Sequence, residues 1–250
     1  MTYDFTDQVV LVTGASRGIG RACALIFAQH GAKVAIHYNS NRTAAKDTLD
    51  AMPGDGHVLV PADMGDPAAV KFMVDFTVKK LGRLDVLVNN AGIFEEHPVD
   101  QLSYDEFQDR WRRTIEVNLT GPANASYCAA QVMIAQGGGH IVNVSSRGAF
   151  RGEPTAPAYG ASKAGLNALG QSLAKALAPH NIYVTTVAPG WVETDMADGH
   201  LDESVRAQSP LNRVARPEEI ARAVLFLASP GCEFATGAIL DVNGASYLRT

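Results

Sequence analysis

The feature that most constrains how this chain folds is a regular alternation of short, β-branched apolar runs with longer helical patterns. Seven runs occur, and they are QVVLVT at 8–13, KVAIHY at 33–38, HVLVP at 57–61, LDVLVN at 84–89, HIVNVS at 140–145, IYVTTV at 182–187 and AILDV at 238–242. Runs that are apolar on both faces are typical of parallel strands that helices cover on each side. The order of runs and helical patterns therefore predicts an α/β fold with a sheet of about seven parallel strands.

The helical patterns between these runs have recognisable ends. IGRACALIFAQHG closes at Gly31, a residue suited to a helix C-cap, and PEEIARAVLFLAS opens at Pro217 with two acids behind it. No internal repeat, low-complexity segment or linker interrupts the 250 residues. We therefore predict a single domain over residues 1–250, a Rossmann-type doubly wound sheet with helices on both faces.

The charge of the chain restricts its partners. Lys and Arg number 21 against 26 Asp and Glu, which gives a formal net charge of -5. This balance argues against a broad basic surface, so neither nucleic acid nor an anionic membrane is an expected partner. The expected ligand is a small molecule.

The cysteines and the first residues of the chain indicate a reducing compartment. Cys23, Cys128 and Cys232 are odd in number and widely spaced, without a CxxC motif, so neither a disulfide framework nor a metal site is expected. Asp4 and Asp7 precede only a short apolar run, which fits neither a signal peptide nor a transmembrane helix. We expect a cytoplasmic protein.

A glycine-rich loop, TGASRGIG, follows the first predicted strand and leads directly into a helix. Gly14, Gly18 and Gly20 allow a sharp turn and a close approach of the backbone to a ligand, and the N-terminus of the helix attracts phosphate. A tight turn that binds nothing is the alternative. Because the loop follows the first strand of a doubly wound sheet, a dinucleotide is the favoured occupant.

Further motifs identify a family. The glycines are spaced G-x-x-x-G-x-G, and the other motifs are NNAG at 89–92, VNL at 117–119, NVSS at 143–146, YGASK at 159–163 and PGWVETDM at 189–196. With these motifs in this order, the chain resembles the short-chain dehydrogenase/reductase family over its whole length. The resemblance implies an oxidoreductase with a nicotinamide cofactor and a catalytic tetrad of Asn118, Ser146, Tyr159 and Lys163.

Carbonyl reduction by hydride leaves an alkoxide that needs a proton, and a phenol suits this role if its pKa falls from about 10. Lys163 is one helical turn from Tyr159, and its ammonium, with the positive nicotinamide, would favour phenolate. Ser146 would hydrogen-bond the substrate oxygen; Ser145 competes for this role but is one position further from Tyr159. The resemblance assigns Asn118 to a water relay and gives Lys163 a second role on the nicotinamide ribose. Taken singly, each residue has an ordinary structural role as the alternative.

The choice of nicotinamide cofactor depends on the end of the second predicted strand. NAD-binding members of this fold carry an acid there, whereas this chain reads HYNSNR at 37–42. Arg17 and Arg42 would instead suit a 2'-phosphate, although each could be an ordinary solvated charge. We predict NADP(H).

The resemblance also implies where the cofactor lies. Asp63 and Met64 would flank the adenine, and Asn90 and Gly92 would lie along the adenosine ribose. Val192 and Thr194 would hold the carboxamide. The full set of predicted cofactor contacts is Gly14, Ser16, Arg17, Gly18, Ile19, Gly20, Asn39, Arg42, Asp63, Met64, Asn90, Ala91, Gly92, Tyr159, Lys163, Pro189, Gly190, Val192 and Thr194.

The substrate is less constrained than the reaction. GHIVNVSS, YGASKAG and GAILDVNG are most similar to the 3-oxoacyl-[acyl-carrier-protein] reductase branch, which implies reduction of a 3-oxoacyl thioester with NADPH. A dehydrogenase or reductase of a sugar, polyol or xenobiotic ketone is the alternative within the family. A non-catalytic NADP(H) sensor is a further one, but it would be expected to lose Tyr159 or Lys163.

The chain departs from that branch where a carrier protein would dock. AQGGGH and ALAPHN lack the arginines that carrier-protein reductases present, which weakens the case for a carrier. The presumed lid, residues 191–213, and the loop IFEEHPVD add acids that would not attract an acidic partner. These acids are Glu95, Glu96, Glu193, Asp195, Asp198, Asp202 and Glu203. The resemblance also implies a homotetramer, or a homodimer, built through long helices over 104–136 and 157–179.

Overall fold

The computed structural model describes residues 3–197 and 199–249 and contains one sheet of seven parallel strands. The strands are β1 (Val9–Val12), β2 (Lys33–Tyr38), β3 (Val58–Pro61), β4 (Val86–Asn89), β5 (Gly139–Val144), β6 (Ile182–Pro189) and β7 (Ile239–Val242). Their order across the sheet is β3-β2-β1-β4-β5-β6-β7. The chain therefore winds outward from β1 in both directions, as predicted, and the order reverses between β1 and β4.

Helices cover both faces of the sheet. They are α1 (Gly18–Gln29), α2 (Arg42–Asp50), α3 (Pro67–Leu81), α4 (Tyr104–Ile115), α5 (Gly121–Gln136), α6 (Gly148–Arg151), α7 (Pro157–Leu177), α8 (Glu203–Arg206) and α9 (Pro217–Leu227). One apolar core lies between the sheet and helices α1 and α9, with Phe27 and Ile220 fully buried. The other core holds α3 and α5, with Met73 and Met133 fully buried. The alternation of apolar runs thus produces strands that are buried on both sides.

Local signals explain where the helices begin and end. Asp66 caps α3 by accepting a hydrogen bond from the backbone N–H of Ala68, and Pro67 follows at the first helical position. Ser103 and Glu106 form a reciprocal capping box at the start of α4. Pro217 opens α9 as predicted, whereas α1 ends at Gln29, two residues before the glycine expected to cap it.

A π-helical turn, Glu116–Thr120, joins α4 to α5. The three segments together form the long helix predicted over 104–136, and the π turn contains Asn118. Such turns insert one residue into a helix and are frequent at functional sites. Among the described helices, none is long and apolar enough to cross a membrane.

Candidate active site

A cavity of about 540 Å³ opens at the carboxyl edge of the sheet. The loop after β1, the ends of β2, β4, β5 and β6, and the first turns of α7 all contribute to its wall. Three of the four predicted catalytic residues line it, namely Ser146, Tyr159 and Lys163. The predicted cofactor residues in its lining are Gly14, Ser16, Arg17, Gly18, Ile19, Gly20, Asn39, Asp63, Met64, Asn90, Ala91, Gly92, Pro189, Gly190, Val192 and Thr194. Asn118 and Arg42 are not part of the lining.

The glycine loop is packed too tightly for side chains. Gly14 has a positive φ of 64°, and a Cβ there would lie 2.9 Å from the Cα of Ala91. A Cβ at Gly20 would lie 2.2 Å from the carbonyl oxygen of Gly14, so only glycine lets α1 approach the loop this closely. No side chain caps the N-terminus of α1, which leaves its first N–H groups available to a phosphate at this end of the cavity.

Thr13 and Asn90 join the glycine loop to the end of β4. The hydroxyl of Thr13 accepts hydrogen bonds from the backbone N–H groups of Asn90 and Ala91, at 2.9 and 3.0 Å. In return, the side-chain amide of Asn90 donates to the carbonyl oxygens of Thr13 and Gly14. The side-chain NH₂ group of Asn90 is therefore hydrogen-bonded to the backbone of the protein.

His37, at the end of β2, was not singled out from the sequence. Its Nδ1 accepts a hydrogen bond of 2.9 Å from the backbone N–H of Gly14, and its Nε2 is 2.9 Å from the carbonyl oxygen of Ala62. Burial lowers the pKa of His37 to about 4, so the imidazole is neutral at pH 7, which fits one nitrogen that accepts and one that donates. His37 thereby positions the glycine loop. Its place at the strand end is the only signal in the sequence.

Asp63 and Arg113 form an ion pair on the wall of the cavity beyond β3. Nη2 of Arg113 donates to both carboxylate oxygens of Asp63, at 2.9 and 3.1 Å. The pKa of Asp63 is lowered: desolvation opposes the shift, but hydrogen bonds from Arg113 and from the backbone N–H of Gly65 outweigh it. The partners lie 50 positions apart, so nothing in the sequence signals this pair.

The two arginines predicted for a 2'-phosphate occupy different places. Arg17 lines the cavity and donates a hydrogen bond of 3.1 Å to Asp195 of the lid segment (residues 191–213). Both side chains of this pair are largely exposed. Arg42 is exposed in the first turn of α2, and its side chain has no ion-pair partner among the described residues. Asp198, also in the lid segment, lies outside the described residues.

The pKa of Tyr159, in the first turn of α7, is shifted in the opposite direction to the one expected from the sequence. Burial raises the pKa of Tyr159 to about 12; hydrogen bonding with the side chain of Ser146 opposes this shift, and the charge of Glu153 adds to it. The expected lowering by Lys163 is not found, because Nζ of Lys163 lies 5.8 Å from the centroid of the phenol ring. The protein side chains alone therefore keep the phenol protonated at neutral pH.

Lys163 is buried behind Tyr159. Its Nζ donates a hydrogen bond of 2.9 Å to the carbonyl oxygen of Val144, the last residue of β5. Burial lowers the pKa of Lys163 to about 8, which keeps most of the amine charged at pH 7. A Cβ at Gly92 would lie 3.5 Å from this Nζ and 3.3 Å from Oδ1 of Asn118, so the glycine keeps the space between them open.

The two serines after β5 have separate roles. Ser145 is buried, and its hydroxyl donates to the carbonyl oxygen of Lys163, which ties α7 to the sheet. Both serines line the cavity, but it is Ser146 whose hydroxyl interacts with the phenol of Tyr159, while accepting a hydrogen bond of 3.0 Å from the backbone N–H of Gly148. This arrangement favours Ser146 over Ser145 as the serine that faces a substrate.

Asn118 lies in the π turn and supports the site from behind. Its side chain accepts a hydrogen bond from the backbone N–H of Ile93 and donates to the carbonyl oxygen of the same residue, at 2.8 and 2.9 Å. It also donates to the hydroxyl of Ser162. The side-chain amide of Asn118 thus joins the loop after β4 to α7, with both of its N–H groups engaged.

Aromatic rings lie beside Tyr159. Phe94 packs edge-on against Tyr159 with centroids 5.1 Å apart, and His200 of the lid segment is 6.4 Å from Phe94. Trp191 stacks on His200 at 6.2 Å. The rings supply apolar surface for a substrate. In residues 3–197 and 199–249, no group of three or more His, Cys, Asp or Glu side chains could hold a metal ion.

Comparisons with known proteins identify the family of the chain. The family model described as Enoyl-(Acyl carrier protein) reductase matches residues 14–245. The 3-oxoacyl-[acyl-carrier-protein] reductase of Synechocystis sp. is 36% identical, with 97% of this chain and 98% of that protein covered. The L-rhamnose 1-dehydrogenase (NAD(P)(+)) of Sphingomonas sp. is 40% identical, with 97% of each covered. A crystal structure of a short chain dehydrogenase from Burkholderia cenocepacia in complex with NADP has a TM-score of 0.88 at 35% identity, covering 97% of this chain and 98% of that one.

Proposed function

The chain belongs to the short-chain dehydrogenase/reductase family of oxidoreductases, and on that premise we propose that it reduces a carbonyl to a secondary alcohol with NADPH. The favoured substrate is a 3-oxoacyl thioester. One observation carries the proposal: a single cavity is lined both by the glycine loop and by Ser146, Tyr159 and Lys163. A dinucleotide on the loop would extend toward the three side chains that can handle a carbonyl oxygen.

Several features support NADPH as the cofactor. The uncapped N-terminus of α1 and the glycines of the loop fit a pyrophosphate, because free N–H groups face the cavity and there is no room for a side chain at Gly14 or Gly20. The end of β2 carries Asn39, Ser40 and Asn41 in the lining and no acid that would repel a 2'-phosphate. Arg17 lies in the same lining and supplies a guanidinium. The Burkholderia relative is itself described in complex with NADP.

The protein residues then divide the chemistry among them. NADPH, when bound, supplies a hydride to the carbonyl carbon, and the electron pair of the C=O π bond moves to oxygen. Ser146 donates a hydrogen bond to that oxygen, and Tyr159 transfers its phenolic proton to it, which completes the alcohol. A pKa of about 12 keeps Tyr159 in the protonated form that reduction needs. The phenolate left behind then takes a proton from water, and Lys163, most of which is charged at pH 7, is assigned to the nicotinamide ribose, the second role that the resemblance gives it.

Two observations bear on the substrate. The Synechocystis relative is described as a 3-oxoacyl-[acyl-carrier-protein] reductase, which supports a 3-oxoacyl group. The Sphingomonas relative is described as an L-rhamnose 1-dehydrogenase, at similar identity and coverage, which supports a sugar, polyol or simple ketone as the second candidate. A non-catalytic NADP(H) sensor is disfavoured because Tyr159 and Lys163 are both retained in the cavity.

An initial-rate screen tests the proposal. A small 3-oxoacyl thioester, a 3-oxo ester, a sugar and a xenobiotic ketone would each be offered with NADPH and with NADH. Thioester reduction with NADPH is the expected result. Activity on the sugar or ketone alone would support the second candidate, and the absence of turnover with every carbonyl and both cofactors would contradict carbonyl reduction.

A further inference from the structure

Arg147, the residue after Ser146, is an unusual buried cation. Only 3% of its surface is exposed, and its backbone N–H donates to the carbonyl oxygen of Pro189. Nη2 of the guanidinium donates to the side-chain oxygen of Gln208, a neutral partner. Nη1 is buried and has no hydrogen-bond partner among the described residues. A buried guanidinium that lacks a partner is costly unless something else supplies one.

The guanidinium of Arg147 also forms no ion pair with any residue that the structure describes. Among residues 3–197 and 199–249, no carboxylate lies within ion-pair distance of it. The nearby carboxylate of Glu153 pairs with Arg151 instead, at 3.7 Å. Burial, together with the charge of Arg151, lowers the pKa of Arg147 to about 10, which still leaves a full positive charge at pH 7. The site therefore has a free cation and calls for an anion.

Trp191 adds a second donor. Its indole Nε1 is buried and has no hydrogen-bond partner within the described part of the chain. Arg147 and Trp191 both line the catalytic cavity and also a smaller cavity of about 170 Å³, which the lid segment encloses with residues that include Ser209 and Leu211. Glu219 is on the wall of the smaller cavity, but Arg213 binds both of its carboxylate oxygens at 2.7 Å, so its charge is neutralised.

We propose that Arg147 and Trp191 form a carboxylate-binding subsite beside the reacting centre, so that the preferred substrates are carbonyl compounds that also carry a carboxylate. Two free N–H donors match the two oxygens of a carboxylate, and the guanidinium supplies the opposite charge. The inference rests on the proposed carbonyl reduction and narrows the range of its substrates. Among small ketones it selects oxo acids, and among 3-oxoacyl thioesters it selects those with a carboxylate on the acyl chain.

A series of matched substrates tests this subsite. The acids 4-oxopentanoate, 5-oxohexanoate and 6-oxoheptanoate would each be compared with their methyl esters by kcat/KM with NADPH. For at least one chain length we expect the acid to exceed its ester by about tenfold or more, mainly through KM, because only the charged group can pair with the guanidinium. The length that gives the largest ratio would measure the distance from Ser146 to the subsite.

Substitutions test whether the preference for the acid depends on Arg147 itself or only on positive charge in its surroundings. Arg147→Gln should bring the ratio of acid to ester close to one, and Arg147→Lys should keep part of the preference. Arg206→Gln is the matched control, because Arg206 is an exposed cation of the lid segment, lines neither cavity and has no ion-pair partner among the described residues, so this variant should keep the ratio. NADPH affinity, measured by cofactor fluorescence, verifies that each variant is folded. An equal loss of the ratio in Arg206→Gln would overturn the role of Arg147.

A binding experiment distinguishes failure of the subsite from failure of the proposed function. In a Trp111→Phe background Trp191 is the sole tryptophan, and its fluorescence should respond to pentanoate but not to pentanamide. Esters reduced as well as acids, with no response to pentanoate, would refute the subsite and leave carbonyl reduction intact. No turnover of any carbonyl, with a response to pentanoate that Arg147→Gln abolishes, would uphold the subsite and refute the proposed reaction.

Discussion

Tyr159 and Lys163 show how burial governs this site at the scale of single residues. Burial shifts both groups toward their neutral forms, the phenol to a pKa of about 12 and the amine to about 8. A protonated phenol is the form that can give a proton to a developing alkoxide, and oxidation of an alcohol would need the phenolate instead. At neutral pH the protein environment alone therefore holds Tyr159 in the protonated form that carbonyl reduction needs.

Replacement of Tyr159 by phenylalanine tests its role as the proton donor. We expect kcat to fall by about 100-fold or more, the scale of positioned acid catalysis, with little change in NADPH affinity. Lys163→Ala should impair both quantities, because its amine is predicted to contact the nicotinamide ribose and so to place the cofactor beside Tyr159. Tyr127→Phe, on the exposed surface of α5, is the control and should retain activity. A Tyr159→Phe variant with more than about a tenth of the wild-type rate would exclude this assignment.

Arg17 is the side chain on which the predicted preference for NADPH now depends most. It lines the cavity, whereas Arg42 is exposed outside the lining, so we expect Arg17→Ala to have the larger effect. The loss should be about tenfold in the dissociation constant of NADPH, the low end for a charge-assisted hydrogen bond at an exposed site, with NADH nearly unaffected. Titration by cofactor fluorescence measures both. Equal losses for the two cofactors would mean that no 2'-phosphate is recognised there.

At the scale of elements, the glycine loop depends on its neighbours. The backbone N–H of Gly14 donates to His37 on β2, and the end of β4 is bound to Thr13. Neighbouring strands thus hold the loop from two sides before any ligand arrives. A loop held in this way loses little conformational freedom when it binds a phosphate, which favours affinity.

His37 should make stability depend on pH. Its folded pKa of about 4 is below its ordinary 6.5, so the unfolded chain binds a proton first as the pH falls and the folded state loses stability between pH 6.5 and 4. By pH 5 this contribution amounts to about 2 kcal/mol, at about 1.4 kcal/mol per pH unit. Urea unfolding of wild type and His37→Gln at pH 7 and pH 5 measures it, with the exposed His180→Gln as control. The free energy of unfolding of wild type minus that of His37→Gln should decrease by about that amount from pH 7 to pH 5. A difference that does not change with pH would contradict the low pKa of His37.

Most elements were predictable because they have local causes. The seven strands follow from apolar runs, and α9 follows from a proline with acids behind it. The prediction of Ser146, Tyr159 and Lys163 as catalytic residues rests on the motifs that the chain shares with its family, and the structure brings the three side chains to one cavity.

The roles of Arg113 and Arg147 could not be predicted from the sequence. Arg113 pairs with a residue far away along the chain, and Arg147 stands out only because a buried nitrogen of its guanidinium has no partner among the described residues. The sequence did not predict the π turn at Asn118 either, because residues 104–136 have the pattern of one uninterrupted helix.

At the scale of the whole molecule, assembly remains a prediction. Tyr127 and Ile134 are exposed on α5, which lies in one of the two long helices through which a homotetramer, or a homodimer, is predicted to form. Apolar side chains exposed on such a helix would gain from burial against a second copy. Sedimentation of the intact protein would establish the number of copies.

The charge of the whole molecule leads to a final prediction about a carrier protein. The net charge is -5, and the lid segment exposes Glu193, Asp202 and Glu203 to solvent. Such a surface would not steer an acidic acyl carrier protein toward the cavity. We therefore expect an acyl-carrier thioester to exceed the matching small thioester by less than about tenfold in kcat/KM, or about 1.4 kcal/mol. A gain of about a hundredfold that falls steeply with added salt would instead demonstrate electrostatic docking and make the carrier-bound thioester the substrate.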